Sequence, residues 1–406
     1  MTETFDRKTH LKLKIAIVVH GRFNAFDLTR ALIKTGHDVV LFTNYPKWAV
    51  KRFGIDPSSV RSFWLHGVLF KTMYWFNDKF KISCLEELFH RWFGQWASLM
   101  LMREPWDLIV CWSGISEEIL NSCNDARTVV AVVRESSHIN VQSHIMLTEQ
   151  ERSDTAIGCP SAWIIERENR EYQKAKFIWV ASKFVYDSFI QEKVAAEKVM
   201  LIPWATPTDK FRPRNEVVER RCQRILKGDR LRLLYVGAIS HRKGLWDLRT
   251  IVRSLDRSLF EFRLVGPLPS ESKKLVADIQ DYVWLDGKYP QQDLPAVYEW
   301  GDLFIFPTLE DGYPAVLAQA YASALPILTT TNCSGPDLIK EGETGWILPI
   351  RSPEVFVDRL QWCDTHRPDL VHMVRRIYSD FHPRRWSDVA CDIERFYENR
   401  IGSHRP

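Results

Sequence analysis

Apolar residues in this chain fall into short unbroken runs, separated by stretches in which they recur at helical spacing. After a polar opening (residues 1–12), KIAIVVHG (Lys14 to Gly21) reads as a buried strand that ends in a glycine turn. An amphipathic pattern follows from Phe26 to Lys34 and is closed by Gly36. HDVVLFTN (His37 to Asn44) is the next run. Strand, helix and strand in that order make a βαβ unit, which implies a parallel sheet with right-handed crossovers. DLIVCW (Asp107 to Trp112), TVVAVVRE (Thr128 to Glu135), KFIWVAS (Lys176 to Ser182) and VMLIPWA (Val199 to Ala205) continue the series.

Between 206 and 229 the pattern dissolves into Pro- and charge-rich sequence, which reads as a hinge between domains. A second series then begins. Its strands are LRLLYVGAIS (Leu231 to Ser240), FEFRLVG (Phe260 to Gly266), YVWLDG (Tyr282 to Gly287), DLFIFP (Asp302 to Pro307) and LPILTT (Leu325 to Thr330). The fold class is α/β: two doubly wound, Rossmann-like halves with a cleft between them. Ligands in such sheets sit beyond the carboxyl ends of the strands.

Composition adds bounds. A chain of 406 residues suits about two to three domains. A net charge of +4 is small for this length, so nothing calls for a nucleic-acid partner. The eight Cys form no CxxC pair, and the chain opens on no secretory signal, which favours reduced thiols in the cytoplasm. No apolar run reaches membrane-spanning length. The 16 Trp are many. Between Tyr45 and Trp106 they mix with Phe, Lys and Arg, as in KWAVKRFG and FWLHGVLFKTMYWF. Such a mixture suits either a packed helical subdomain or a surface that docks on lipid headgroups.

Two segments carry candidate chemistry. In DLFIFPTLEDGYPAVLAQAYASALP (Asp302 to Pro326) a strand meets an acidic glycine turn and then an Ala-rich helix. Free amides at a helix start suit an anion, whereas Glu310 and Asp311 suit hydroxyls. Such a site fits a nucleotide-sugar. GAISHRKG (Gly237 to Gly244) places Arg242 and Lys243 before another helix start, an arrangement suited to a diphosphate. In the first half, HGRF offers His20 and Gly21, and RESSHIN offers Glu135 and His138. Glu166, Arg167 and Glu168 alternate in charge on a helical segment and read as a solvated face. No metal-ligating motif is evident.

The turn Asp311-Gly312-Tyr313-Pro314 resembles the donor-site motif of glycosyltransferase family 4, retaining enzymes of the GT-B fold. HGRFNAFDLTRALIKTGHDV, SKFVYDSFIQ, IPWATPTDKF and GPDLIKEGETGWILP extend the resemblance along most of the chain. Two departures stand out. Gln319 occupies the place of the family's second Glu, and Ala238 that of an Arg, whereas Lys243 matches the family's Lys. The resemblance implies an N-terminal acceptor-side domain (1–212), a donor-binding domain (213–384) and a C-terminal helix (385–406, best over Trp386 to Arg400) that packs back on the first.

It also implies roles. Asp311 would contact the transferred sugar, Lys243 and Arg242 would hold the diphosphate, and His138 would meet the sugar from the acceptor side. The donor would lie along Gly237, Gly287, Lys288, Gly312, Tyr313, Pro314, Ala315 and Gln319, with Gly21, His20 and Glu135 on the acceptor side. The implied reaction transfers a hexose from a nucleotide diphosphate sugar, UDP or GDP undecided, to a glycan or lipid-linked hydroxyl with retention and without a metal or other cofactor. Bacterial envelope polysaccharide or lipopolysaccharide synthesis is the implied setting, with peripheral contact at the inner membrane. The competing readings are a nucleotide-sugar epimerase or phosphorylase, and a non-catalytic sugar-nucleotide-binding subunit. A dinucleotide-binding dehydrogenase is disfavoured, because neither glycine loop has GxGxxG spacing.

Overall fold

The computed structural model describes residues 12–80, 84–123, 125 and 127–401. Among these, the first seven strands form one parallel sheet: β1 (Lys14–Val19), β2 (Asp38–Thr43), β3 (Val60–Ser62), β4 (Leu108–Trp112), β5 (Val129–Arg134), β6 (Phe177–Val180) and β7 (Val199–Leu201). Their spatial order is β3-β2-β1-β4-β5-β6-β7. A second parallel sheet contains β8 (Leu231–Val236), β9 (Phe260–Val265), β10 (Val283–Asp286), β11 (Leu303–Phe306), β12 (Ile327–Thr330) and β13 (Gly345–Leu348), ordered β10-β9-β8-β11-β12-β13. Both sheets are doubly wound, and the strand order reverses between β1 and β4 in one and between β8 and β11 in the other. Those reversals splay the following loops apart and open a crevice at the carboxyl ends.

The apolar runs become buried strands because helices cover both faces of each sheet. One face of the first sheet packs Ile15, Ile17, Val19, Val110 and Val133. The other packs Ala16, Val18, Cys111 and Val132. The C-terminal helix Trp386–Ile401 completes the former, burying Val389, Ala390, Ile393 and Phe396 against it. The chain thus passes between the sheets twice, through 202–214 and again through 381–385.

Three readings are corrected. The segment 206–229 is not wholly a hinge. Asn215–Lys227 is a helix, stopped by Gly228 at φ 88, and its Val218, Cys222 and Ile225 join the second core. Charge density had hidden an apolar stripe. The strands β3 and β13 went unanticipated, because an edge strand of three or four residues needs no continuous apolar run. Finally, Arg167 and Glu168 are buried, and only Glu166 is exposed. Arg167 donates to the Gly114 carbonyl at 2.6 Å and pairs with Glu118, while Glu168 pairs with Arg134.

The aromatic stretch is in part a packed helical subdomain. Phe63, Phe70, Phe89, Phe93 and Trp96 pack together around His66. Trp64, Leu65, Val68 and Leu69 on the same helix, Trp64–Phe80, stay exposed. Among the described residues, no helix is long and apolar enough to cross a membrane.

Candidate functional site

The site is built where the second sheet reverses. The loop after β8 and the loop after β11 are lashed together there. Leu309 N donates to the Arg242 carbonyl at 3.0 Å, and Thr308 Oγ1 reaches the same oxygen at 3.3 Å. Gly244, at φ 78, lies so close to Pro307 that a Cβ would stand 1.8 Å from its carbonyl oxygen. Only glycine fits that approach. Lys243 is thereby pressed against the acidic turn and forms an ion pair with Asp311, with a longer contact to the Glu310 carbonyl at 3.4 Å. Arg242 Nη1 donates to Glu310 Oε2 at 3.0 Å and to the Glu310 carbonyl at 3.1 Å. Burial pulls the Lys243 ammonium down and Asp311 partly restores it. Arg242 is raised: burial opposes its charge, but Glu310 and Asp311 outweigh that.

The helix Ala315–Ala322 starts directly after Pro314, with no side-chain cap over its first amides. Ala315 is exposed and Tyr313 half-buried against the first domain's core. Gly237 ends β8 at φ 151, and Gly287 and Lys288 lie exposed just beyond the edge strand β10. Asp311, Lys243, Arg242, Gly312, Tyr313, Pro314 and Ala315 are therefore brought together at one corner.

The first domain meets that corner at Glu135. Glu135 Oε1 accepts from Asn24 N (3.2 Å), Asn24 Nδ2 (3.2 Å) and Trp112 Nε1 (3.1 Å), while no described hydrogen bond reaches Oε2. Burial raises its pKa, and nearby Asp311 adds to the shift. Gly21 lies in the adjacent loop at φ 120, its N–H held by Asn44 Oδ1 at 3.0 Å. At Gly312 the two domains touch, and a Cβ there would lie 1.7 Å from the Glu135 carbonyl oxygen.

Four assignments change. His138 caps the helix Ile139–Ser153 by accepting from Asn140 N, and its ring is buried between Tyr172 and Phe189 at 4.9 and 4.8 Å. Burial lowers it to about 4, so it is neutral at pH 7 and faces the core rather than the turn at Asp311. His20 packs edge-on against Phe70 and beside His66 and His90. Burial first, then those two histidines, hold it well below its usual value. Gln319 is buried, with Oε1 accepting from the Tyr298 hydroxyl at 2.9 Å inside the second domain. The oxygen that would replace the family's carboxylate is thus already engaged. Glu310, which the acidic turn had suggested for a hydroxyl, spends both oxygens on protein donors. Ser137 N (2.9 Å) and Ser137 Oγ (3.1 Å) reach Oε1, and Gln142 Nε2 (3.3 Å) shares Oε2 with Arg242. Ser137, Gln142, Asn24 and Trp112 gave no signal in the sequence, because their partners lie across the fold.

Among the described residues, no group of three or more His, Cys, Asp or Glu is arranged to hold a metal ion.

Residues 230–364 match the family model for glycosyl transferases group 1. The amylovoran biosynthesis glycosyltransferase AmsK of Erwinia amylovora is 30% identical over 131 residues, 29% of this chain and 32% of that protein. The capsular polysaccharide biosynthesis glycosyltransferase CapM of Staphylococcus aureus is 28% identical over 149 residues, 34% of this chain and 38% of that protein. The matches thus span about a third of these curated relatives. In overall shape the chain superposes on HepE of Anabaena in complex with UDP, with TM-score 0.65, 13% identity, and coverage of 95% of this chain and 100% of that one. Sucrose-phosphate synthase from Thermosynechococcus elongatus gives TM-score 0.65, 17% identity and coverage of 97% and 100%. Two parallel Rossmann-like sheets facing across a cleft make this a GT-B fold.

Proposed function

We propose that this chain, related to the group 1 glycosyltransferases through its second domain, moves a hexose from a nucleotide diphosphate sugar to a hydroxyl, with retention at the anomeric carbon. The observation that carries the reading is the Lys243–Asp311 pair, set at the strand-order reversal of the second sheet and faced by Glu135 of the first. A cation for phosphate and a carboxylate for sugar hydroxyls stand side by side, next to uncapped helix amides.

On this reading the diphosphate lies against Lys243, Arg242 and the amides opening Ala315–Ala322. As the glycosidic bond breaks, negative charge builds on the departing phosphate, and these groups are already aimed at it. Asp311 then exchanges its contact with Lys243 for hydroxyls of the transferred sugar. On this reading no side chain of the corner acts as a covalent nucleophile. A front-face path, in which the leaving phosphate takes the proton of the incoming hydroxyl, fits that arrangement and gives retention. Glu135 Oε2 and Gly21 line the acceptor side. Apolar Trp64, Leu65, Val68 and Leu69, exposed on a helix packed over the end of β2 at Gly67, suit peripheral contact with a membrane carrying a lipid-linked acceptor. The capsular polysaccharide biosynthesis named for CapM fits such an acceptor.

The test is calorimetric titration of UDP, GDP, ADP and their hexose conjugates into metal-free protein. Binding of one nucleotide supports the donor site and names the donor class. Folded protein that binds none of them refutes the reading.

A further inference from the structure

We propose that Glu310 is a positioning residue that makes assembly of the donor corner conditional on closure of the two domains. The proposal rests on reading the cleft as a nucleotide-sugar site. Glu310 is fully buried, and a buried carboxylate is tolerable only when paired and hydrogen-bonded. Here that condition is met mostly from the other domain. Three of the four donors to the Glu310 carboxylate, namely Ser137 N–H, Ser137 O–H and the Gln142 amide, belong to the first domain, and only Arg242 belongs to its own. Burial opposes ionisation, yet Arg242, Lys243 and the Ser137 N–H together hold its pKa below the usual carboxylate value.

Those first-domain donors are themselves fixed. Arg134 donates to the Ser137 carbonyl at 3.0 Å, to Gln142 Oε1 at 2.6 Å and to Glu168 at 2.9 Å. Arg134 thereby holds both Ser137 and Gln142 in place for one carboxylate 168 and more positions along the chain. Ser137 also follows Glu135 by two residues, so the acceptor-side loop and the phosphate-side Arg242 meet on Glu310.

The consequence is a coupling. In the closed arrangement Glu310 fixes the Arg242 guanidinium beside Lys243. Opening the cleft removes three donors at once and leaves a carboxylate–guanidinium pair free to turn toward water. Arg242 is then no longer set for the leaving diphosphate. The cationic corner is complete only when the first domain has covered it, which limits donor hydrolysis by water.

Glu310→Gln tests this. The amide keeps an acceptor for Ser137 but turns an N–H toward Arg242 or Gln142. We expect UDP or GDP, whichever the wild-type protein binds, to bind the variant no more than about tenfold more weakly than wild type, since Arg242 is loosened while Lys243 and the helix amides are untouched. X-ray scattering should show a larger radius of gyration for Glu310→Gln than for wild type, with and without nucleotide. Single-turnover nucleotide release from the corresponding sugar nucleotide should fall by about a hundredfold, the scale of an ångström misplacement at a reacting centre. Ser137→Ala approaches the same carboxylate from the opposite domain, and should give a smaller loss of the same kind even if Glu310→Gln fails to fold. A radius of gyration and turnover equal to wild type in both variants would overturn the proposal. So would nucleotide affinity lost in proportion to rate, which would make Glu310 part of the nucleotide site itself. If wild-type protein binds neither nucleotide, the functional reading fails, but ligand-free scattering still decides for Glu310. A larger radius of gyration for the variant supports it, and an unchanged one refutes it.

Discussion

Gly312→Ala adds one methyl group at the point where the two domains touch. The added Cβ would lie 1.7 Å from the Glu135 carbonyl oxygen, 2.7 Å from the carbonyl carbon and 3.1 Å from Val185 Cγ2. The first two neighbours are backbone, so no rotamer change relieves them, and the loops must separate until the closest contact exceeds 3.0 Å. Movement on that scale carries the 2.9 Å Ser137 N–Glu310 hydrogen bond out of range, together with the 3.1 and 3.3 Å bonds beside it. Hydrogen bonds to a charged group contribute about 1.5–3 kcal/mol each, and they are not additive here because water can replace some of them. About 3 kcal/mol against the closed arrangement is a conservative sum, or roughly a hundredfold in its population. Gly312→Ala should therefore release nucleotide from its donor about a hundredfold more slowly than wild type, scatter as a more open particle and unfold near the wild-type temperature. Gly158→Ala serves as the control, because Gly158 is exposed and its added Cβ meets nothing within 4 Å. Turnover and scattering of Gly312→Ala indistinguishable from the control would refute the close approach and the closure argument with it.

Lys243→Ala should weaken binding of the nucleotide diphosphate by about 1.5–3 kcal/mol, the scale of a charge-assisted hydrogen bond, and calorimetry showing unchanged affinity would remove Lys243 from the site. Asp311→Ala should impair transfer more than nucleotide binding, since it frees Lys243 while removing the sugar contact; equal loss of both would place Asp311 on the nucleotide instead. His138→Asn keeps a helix cap but loses the titrating ring. Because burial holds the folded His138 at about 4, below its usual 6.5, its contribution to stability is complete above pH 6.5 and is lost as pH falls toward 4. Melting curves of the two proteins should therefore converge as pH is lowered from 7.5 to 5, and a constant gap would contradict the buried, neutral ring.

The sequence by itself determined the α/β class, the two halves and the polar corner of the second one. Those properties are written locally. Unbroken apolar runs between amphipathic stretches force covered parallel strands, and a strand end, a glycine turn and a helix start recur at 237–244 and 311–315 as neighbours in the chain. Lys243 and Asp311 were legible for that reason, although 68 positions separate them. The three-dimensional packing decided everything that depends on which face a side chain turns. His138 and Gln319 have the right chemistry at the right positions, but Phe189 and Tyr172 bury the one, and the Tyr298 hydroxyl engages the other. Arg167 and Glu168 look like solvated charges until Gly114, Glu118 and Arg134 are folded against them. Glu310 looks like a ligand for sugar hydroxyls until Ser137, 173 residues away, closes on it. A carboxylate carries the same charge in the chain whether it ends facing solvent, substrate or another domain. Only the contacts made on folding supply the donors that select among those fates, and for Glu310 three of the four cross the cleft.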